Sequence, residues 1–345
     1  MIAVVTGSSG FIGSRLVDAL VWRGWTVRRL ARAGTRLAAA PGPEPPPPPG
    51  QPAPLGRRET HVVDYARPET LETSPAFDGA DVVFHLAAVT KARGDDAFRA
   101  ANVAPTRALL DALAARAARG LPPPRRFLFV SSQAAAGPAL TPERPVTEDD
   151  PPQPFEPYGK SKLEAERVVR EQRAVPWTIV RPSAVYGPGD TDFLALFRQA
   201  AHGVGVYPGS REARLSIVYV DDLVDAVLRA GTMPAAAGHV YFVESEAVSW
   251  RDVYKAAASA AHFSLRFELD VPTWVLGVAG RAGDVASRLL RRPTLVSSQK
   301  VTLGKPRWWL CDGTRAREEL GVVARVSLAD GAKRTMRWYR SQGWI

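Results

Sequence analysis

The residues best placed to do chemistry are Tyr158 and Lys162, in the run Tyr158-Gly159-Lys160-Ser161-Lys162. On a helix, positions i and i+4 share one face, so the phenol and the ammonium are expected side by side. A free phenol, with a pKa near 10, is a poor base at neutral pH. A lysine charge about 4 Å away would favour the phenolate by roughly 4 kcal/mol at an effective dielectric near 20, about three pKa units before desolvation. The positive charge of an oxidised nicotinamide would act in the same direction. Such a tyrosine can exchange a proton with a substrate oxygen while a hydride moves at the adjacent carbon. Ser132 ends the apolar run Phe129-Val130-Ser131 and could hold that oxygen by hydrogen bond. Two serines after a strand can also simply begin a turn.

A second constellation lies at the amino end. Thr6-Gly7-Ser8-Ser9-Gly10-Phe11-Ile12-Gly13 follows an apolar strand and opens a helical pattern. Glycines at this spacing allow a tight turn and a close backbone approach. They leave the first helical N–H groups, around Ser9, Gly10, Phe11 and Ile12, facing a pyrophosphate. The end of the second strand should then distinguish the dinucleotides. An acidic residue there suits the ribose hydroxyls of NAD, and an arginine suits a 2′-phosphate. Ala31 occupies the acidic position and Arg32 follows it, which favours NADP(H) and leaves NAD(H) possible. Asp64, closing the third strand, is suited to the adenine amino group, with Tyr65 beside it.

Short β-branched runs alternate with helical patterns through residue 181. Strands are expected at Ala3–Thr6, Thr26–Leu30, Thr60–Asp64, Val82–His85, Phe127–Ser131 and Trp177–Arg181. Helices are expected at Phe11–Arg23, Asp95–Arg119 and Tyr158–Gln172. This predicts an α/β fold, a Rossmann-type doubly wound parallel sheet. Its boundaries are 1–181 for a dinucleotide-binding domain and 182–345 for a smaller, mainly substrate-binding lobe interleaved with it. In the second part, strands are expected at Ser216–Val220 and His239–Val243, and helices at Asp221–Arg229, Trp250–His262 and Leu328–Tyr339. Residues 33–57 carry a dense run of prolines and read as an inserted, polyproline-like loop.

Composition removes other classes. The chain has 345 residues, one cysteine, and 46% hydrophobic and 23% charged residues. Cys311 has no intramolecular disulfide partner, and five scattered His residues show no ligand spacing, so no metal site is expected. A formal charge of +10 arises from dispersed arginines rather than a basic stripe, so nucleic acid is not an expected partner. No stretch has the length and apolarity of a membrane span. The best candidate, Val271 to Leu290, is interrupted by Arg281, Asp284 and Arg288. A cytoplasmic location and a small-molecule substrate are expected, and a homodimer is left open.

Taken together, these motifs resemble the extended short-chain dehydrogenase/reductase family, also called the NAD-dependent epimerase/dehydratase family. The likeness rests on the glycine turn, His85-Leu86-Ala87-Ala88, Ser131-Ser132, Tyr158 with Lys162, Arg181-Pro182-Ser183-Ala184-Val185-Tyr186-Gly187-Pro188, and Val220-Asp221-Asp222. It implies that Ser132, Tyr158 and Lys162 are catalytic. It also implies that Leu86, Ala87 and Ala88 flank the cofactor, that Lys162 bonds the nicotinamide ribose, and that Pro182 and Ser183 lie against the nicotinamide.

Departures from the family pattern narrow the expectation. Gln133-Ala134 replaces the Asp-Glu pair that dehydratases carry after the catalytic hydroxyl. Leu215 stands where sugar epimerases place a diphosphate-binding arginine, with Arg214 one residue off, on the opposite face if the segment is a strand. Ala136 replaces a tyrosine common in the sugar enzymes, and Pro105 replaces a glycine after Asn102. These differences favour the reductase and hydroxysteroid-dehydrogenase-like branch, acting on a carbonyl or alcohol of a small apolar substrate. A sugar or nucleotide-sugar epimerase and a non-catalytic dinucleotide sensor are the competing readings. Phe193, Phe197, Tyr207, Trp274, Trp308 and Trp309 could serve as core or as pocket, and Lys91 could meet an acidic substrate group or stand in solvent.

Overall fold

The computed structural model describes residues 1–33, 56–92, 94–272, 274–275 and 307–345. Most of the proline-rich segment and the latter part of the Val271–Leu290 stretch lie outside these residues. Strands β1 (Ile2–Thr6), β2 (Thr26–Arg32), β3 (Arg57–Val63), β4 (Val82–His85), β5 (Arg126–Val130) and β6 (Trp177–Pro182) match the expected runs to within a few residues. Further strands follow: β7 (Ala184–Tyr186), β8 (Val204–Pro208), β9 (Arg214–Tyr219), β10 (Val240–Val243), β11 (Glu246–Ser249), β12 (Phe267–Val271) and β13 (Trp308–Trp309). The helices are α1 (Phe11–Trp22), α2 (Pro68–Glu72), α3 (Gly94–Phe98), α4 (Ala104–Ala118), α5 (Pro157–Glu171), α6 (Leu194–Ala200), α7 (Val220–Thr232), α8 (Trp250–Ala260), α9 (Thr314–Leu320) and α10 (Leu328–Ser341).

The main sheet is parallel in the order β10-β6-β5-β4-β1-β2-β3. Its strands alternate between two apolar faces, as a sheet covered on both sides requires. Ala3, Val5, Phe84, Leu128 and Val130 pack with Leu16 and Leu20 of α1 and Leu223 and Val227 of α7. Val4, Val83, Phe127 and Phe129 pack with Leu109 and Leu113 of α4 and Ala165 and Val169 of α5. The order reverses between β1 and β4, so the crevice for a ligand lies beyond the carboxyl ends of these strands.

Beyond β6 the chain builds a second sheet, β11-β9-β13, with β7 also on β9. Its own core holds Tyr186, Phe197, Tyr207, Leu215, Ile217, Tyr219 and Tyr339. Phe197 and Tyr207 are therefore core residues. Between these segments the chain returns to the main sheet, where β10 completes the edge beside β6.

The single helix expected over Asp95–Arg119 is interrupted. α3 and α4 are joined by a π-helical turn at Arg99–Val103. Pro105 lies at the start of α4, where it cannot donate to Ala101, and the wider turn accommodates the missing bond.

Candidate active site

Ser132 and Tyr158 are brought together by the way α5 starts. Glu156 caps the helix, accepting from Tyr158 N at 2.8 Å and also from Gly159 N. Pro157 takes the first helical position, where its lack of an N–H costs nothing. A Cβ on Gly159 would stand 2.2 Å from the Ala134 carbonyl oxygen, so only glycine lets the helix touch the turn after β5. That turn begins with extended Ser132, whose Oγ accepts from Ala134 N at 3.2 Å. The Ser132 hydroxyl also hydrogen-bonds the Tyr158 side chain. The Phe98 ring lies 6.1 Å from the Tyr158 ring, centroid to centroid.

Lys162 Nζ donates to the Val130 carbonyl at 2.7 Å and lies 4.2 Å from the centroid of the Phe129 ring. Desolvation pushes the Tyr158 hydroxyl up to about 12, aided by the Glu156 and Asp192 charges and opposed by the Ser132 bond. The phenol is thus protonated at neutral pH and stands as a proton donor. Lys162 itself is 1% exposed, and desolvation lowers its pKa to about 7 against the pull of Glu166.

Glu166 is one more turn along the same face of α5. It accepts from Ser131 Oγ at 2.6 Å and from the Arg181 guanidinium at 2.9 and 2.7 Å. All three side chains are buried. This paired charge joins the end of β5 to the end of β6, immediately before Ser132 and Pro182. On the other side, Asn102 in the π turn bonds both backbone groups of Val89, at 2.7 and 3.1 Å, and Ser161 Oγ at 3.0 Å. It ties the loop after β4 to α5. Sequence reasoning missed Glu156, Glu166 and this role of Asn102. The i,i+4 spacing of Glu166 from Lys162, and an acid directly before Pro157, were the available signals.

The glycine turn is as tight as expected. Gly7 has φ +67°, and its Cβ would lie 2.7 Å from Ala87 N; a Cβ on Gly13 would lie 2.1 Å from Gly7 O. Gly10 caps α1 with no side-chain hydrogen bond and no acid in the first turn, and a Cβ there would meet only Gly7 O at 3.3 Å. Open N–H groups at a helix start, with Ser9 and Gly10 exposed, suit a pyrophosphate. Ala87 N donates to Thr6 Oγ1 at 3.1 Å, fixing the loop of Leu86, Ala87 and Ala88 against β1. The Thr6 hydroxyl is bonded in turn to buried His85, which burial keeps neutral with a pKa near 3. The Phe11 and Ile12 side chains pack toward the second sheet, leaving their backbone for a ligand.

At the far end of the crevice, Arg32 is exposed and makes no hydrogen bond or ion pair among the described residues; its charge acts on half-buried Tyr65. Asp64 is exposed too, with Oδ1 accepting from Ala66 N at 3.0 Å and Oδ2 3.6 Å from Arg67 Nε. Near β6, Pro182 and Ser183 are buried, and Ser183 Oγ has no partner. An unsatisfied hydroxyl at this strand end, with the open start of α1, suits a nicotinamide dinucleotide lying across the carboxyl ends of the sheet.

Other candidates fall outside this arrangement. Leu215 is in the core of the second sheet, while Arg214 donates to the Ala247 carbonyl at 3.2 Å. Lys91 pairs with Asp192 at 2.9 Å in solvent. Phe193 packs near Trp250, Trp309 lies near Phe155, and Trp274 is exposed. Among the described residues no His, Cys, Asp and Glu group could hold a metal ion, and no helix is long and apolar enough to cross a membrane.

Residues 3–243 match the model of the NAD dependent epimerase/dehydratase family. The chain is 31% identical to a ceramide reductase of Caulobacter vibrioides, over 100% of this chain and 96% of that protein. It is 37% identical to the 4-hydroxy-2-methyl-3-oxo-4-farnesyl-3,4-dihydroquinoline-1-oxide ketoreductase of Stigmatella aurantiaca, over 95% and 93%. A UDP-glucose 4-epimerase of Thermotoga maritima, solved with UDP-glucose, has the same fold, with a TM-score of 0.73, 23% identity and 99% coverage of both chains.

Proposed function

From the premise that the chain belongs to the NAD-dependent epimerase/dehydratase family, we propose that it is an NADP(H)-dependent reductase of a carbonyl group on a largely apolar substrate. The observation that carries this reading is the placement of Tyr158 against the Ser132 turn at the end of β5, where α5 meets that turn through Gly159 and Ala134 and Lys162 follows one turn later. A carbonyl oxygen entering between the two hydroxyls would accept from both. A bound nicotinamide dinucleotide supplies the hydride. Tyr158 delivers its proton to the oxygen, and Ser132 holds that oxygen and steadies the developing charge. Lys162, one turn along α5, would hold the nicotinamide ribose and, in the protonated form present up to about neutral pH, would supply positive charge to the phenolate left behind. Glu166 and Arg181 keep Ser131 and Pro182, and hence both strand ends, in register.

Gly7, Ser9, Gly10, Phe11 and Ile12 hold the pyrophosphate, and Ser183 and Pro182 face the nicotinamide. Leu86, Ala87 and Ala88 line the path between, and Asp64 and Tyr65 lie at the adenine. Exposed Arg32 has its guanidinium available for a 2′-phosphate, which supports NADP(H) over NAD(H). Residues 1–181 supply most of the cofactor site and 182–345 most of the substrate cover. The reductase names of the two relatives support carbonyl reduction, and the Stigmatella substrate carries a farnesyl chain beside its oxo group. Sugar-diphosphate binding is less well served, because Leu215 is buried and Arg214 is engaged by Ala247. The single cysteine, buried Cys311, suits a reducing compartment, and we place the protein in the cytoplasm.

The test is incubation of the purified protein with NADPH and a panel of alkyl ketones and aldehydes, with nucleotide sugars in parallel. Stoichiometric loss of NADPH with alcohol formation is expected. Interconversion of nucleotide sugars without net NADPH loss would replace the reductase reading with an epimerase.

A further inference from the structure

Gln133 directly follows Ser132 and is 4% exposed, yet its Nε2 is buried without a partner. The other residues of that turn, Ala134, Ala135 and Ala136, are small, apolar and buried. An apolar side chain at 133 would suit these surroundings better. A buried amide donor left unpaired forfeits its hydration and gains nothing in exchange. The second orphan nearby is Ser183 Oγ, which ends the neighbouring strand. β5 and β6 run in parallel register up to Val130 and Val180, so both unsatisfied groups lie just past the ends of paired strands, flanking Ser132 and Pro182. Local polar groups that make no sense for the fold mark places where a ligand completes the bonding.

Resting on the reductase reading, we infer that Gln133 is a specificity-determining residue. It donates to a second oxygen acceptor on the substrate, an amide carbonyl or a hydroxyl carried on a carbon next to the reacting carbonyl. Ser132 and Tyr158 take the first oxygen and the adjacent amide takes the second. The site thereby selects a functionalised ketone over a plain alkyl one. A site built around an unpaired donor discriminates strongly, because an analogue without the acceptor leaves that donor unsatisfied.

Two ketones of equal size test this: one with an acetamido group on the carbon next to the carbonyl, the other with an isobutyl group there. The protein with NADPH is expected to favour the acetamido ketone in kcat/KM by roughly 10- to 100-fold, the size of one hydrogen bond in a buried site. Gln133→Leu should bring that ratio close to one, while the thermal midpoint holds or rises because an orphan donor has gone. No preference in the parent, a preference kept by the variant, or a fall in the midpoint would each overturn the inference and leave the reductase reading standing. Reduction of neither ketone would count against the reductase reading instead. Gln133 would then be judged by calorimetric binding of the acetamido ketone: weaker binding to Gln133→Leu supports it, and equal or absent binding to both forms overturns it.

Discussion

At the carboxyl ends of β5 and β6 the charged groups are buried and bonded within the protein, whereas at the ends of β2 and β3 they stand in solvent. Glu166 accepts from both Ser131 and Arg181, and Lys162 separately donates to the Val130 carbonyl, with all four side chains buried. Among the described residues, Arg32 has no protein partner and Asp64 only local ones. Buried charges are expensive unless fully paired, and removing one partner of such a pair typically costs about 3–5 kcal/mol. Exposed charges are screened, and single contacts there are worth about 1 kcal/mol or less. The same crevice thus holds one end where geometry is built in advance and one where affinity is adjusted without disturbing the fold.

The largest effect should come from Tyr158→Phe. It removes the proton donor and little volume, so turnover should fall by about 10²–10⁴-fold while nucleotide binding persists. Near-parent turnover in a steady-state assay would make the buried end a structural device only. Next comes Gly159→Ala. Its methyl would stand 2.2 Å from the Ala134 carbonyl, forcing α5 and the Ser132 turn apart. A stability loss of about 1–3 kcal/mol, seen by urea denaturation, should accompany loss of turnover. An unchanged midpoint would show that this contact can relax freely.

Lys162→Met should act through pH. The folded pKa near 7 lies below the unfolded value of 10.5, so between them the unfolded chain binds more protons at this site. The penalty for burying the ammonium is fully present below pH 7 and fades as pH rises toward 10.5. The parent should therefore gain stability relative to Lys162→Met on going from pH 7 to pH 9.5, measured by denaturation of both at each pH. A gap that does not change with pH would mean that Glu166 keeps the lysine charged. Arg32→Ala should have the smallest effect, a several-fold weakening of NADPH relative to NADH, about 1 kcal/mol, which fades as salt is raised. If NADPH and NADH bind the parent equally, Arg32 is only a surface charge. A loss at Arg32 larger than that at Gly159 would reverse the contrast between the two ends.

Most of the main sheet was legible because its strands are continuous apolar runs bounded by glycine turns, as at Val4 and Val83. The strands of the second sheet were harder. β7 and β13 span three and two residues, too short to show a period, and they exist because β9 offers them an edge. The residues of the expected triad could be named from spacing, yet the direction of Lys162 could not. Its pairing with Val130 depends on how α5 lies against β5, a tertiary fact with no local signature. Glu166 resembled any surface acid of a charged helix until Arg181 was brought beneath it. Pro105 stood out as a replacement for glycine in a single expected helix, and the molecule accommodates it with a π turn that delivers Asn102 to Val89 and Ser161.

The late return of β10 bears on how the protein is made. β6 is an unpaired edge until β10 emerges roughly 60 residues later, about 3–12 s of synthesis at typical elongation rates of 5–20 residues per second. During that interval its backbone groups are open to pairing with another nascent chain. Thr178 and Arg126 bond each other, but the Ala236 and Ala230 carbonyls that also accept from them are missing until the same stretch arrives. The reacting end of the crevice can therefore close only after β7 and β9 of the second sheet have been synthesised, and β6 stays an open edge throughout that interval.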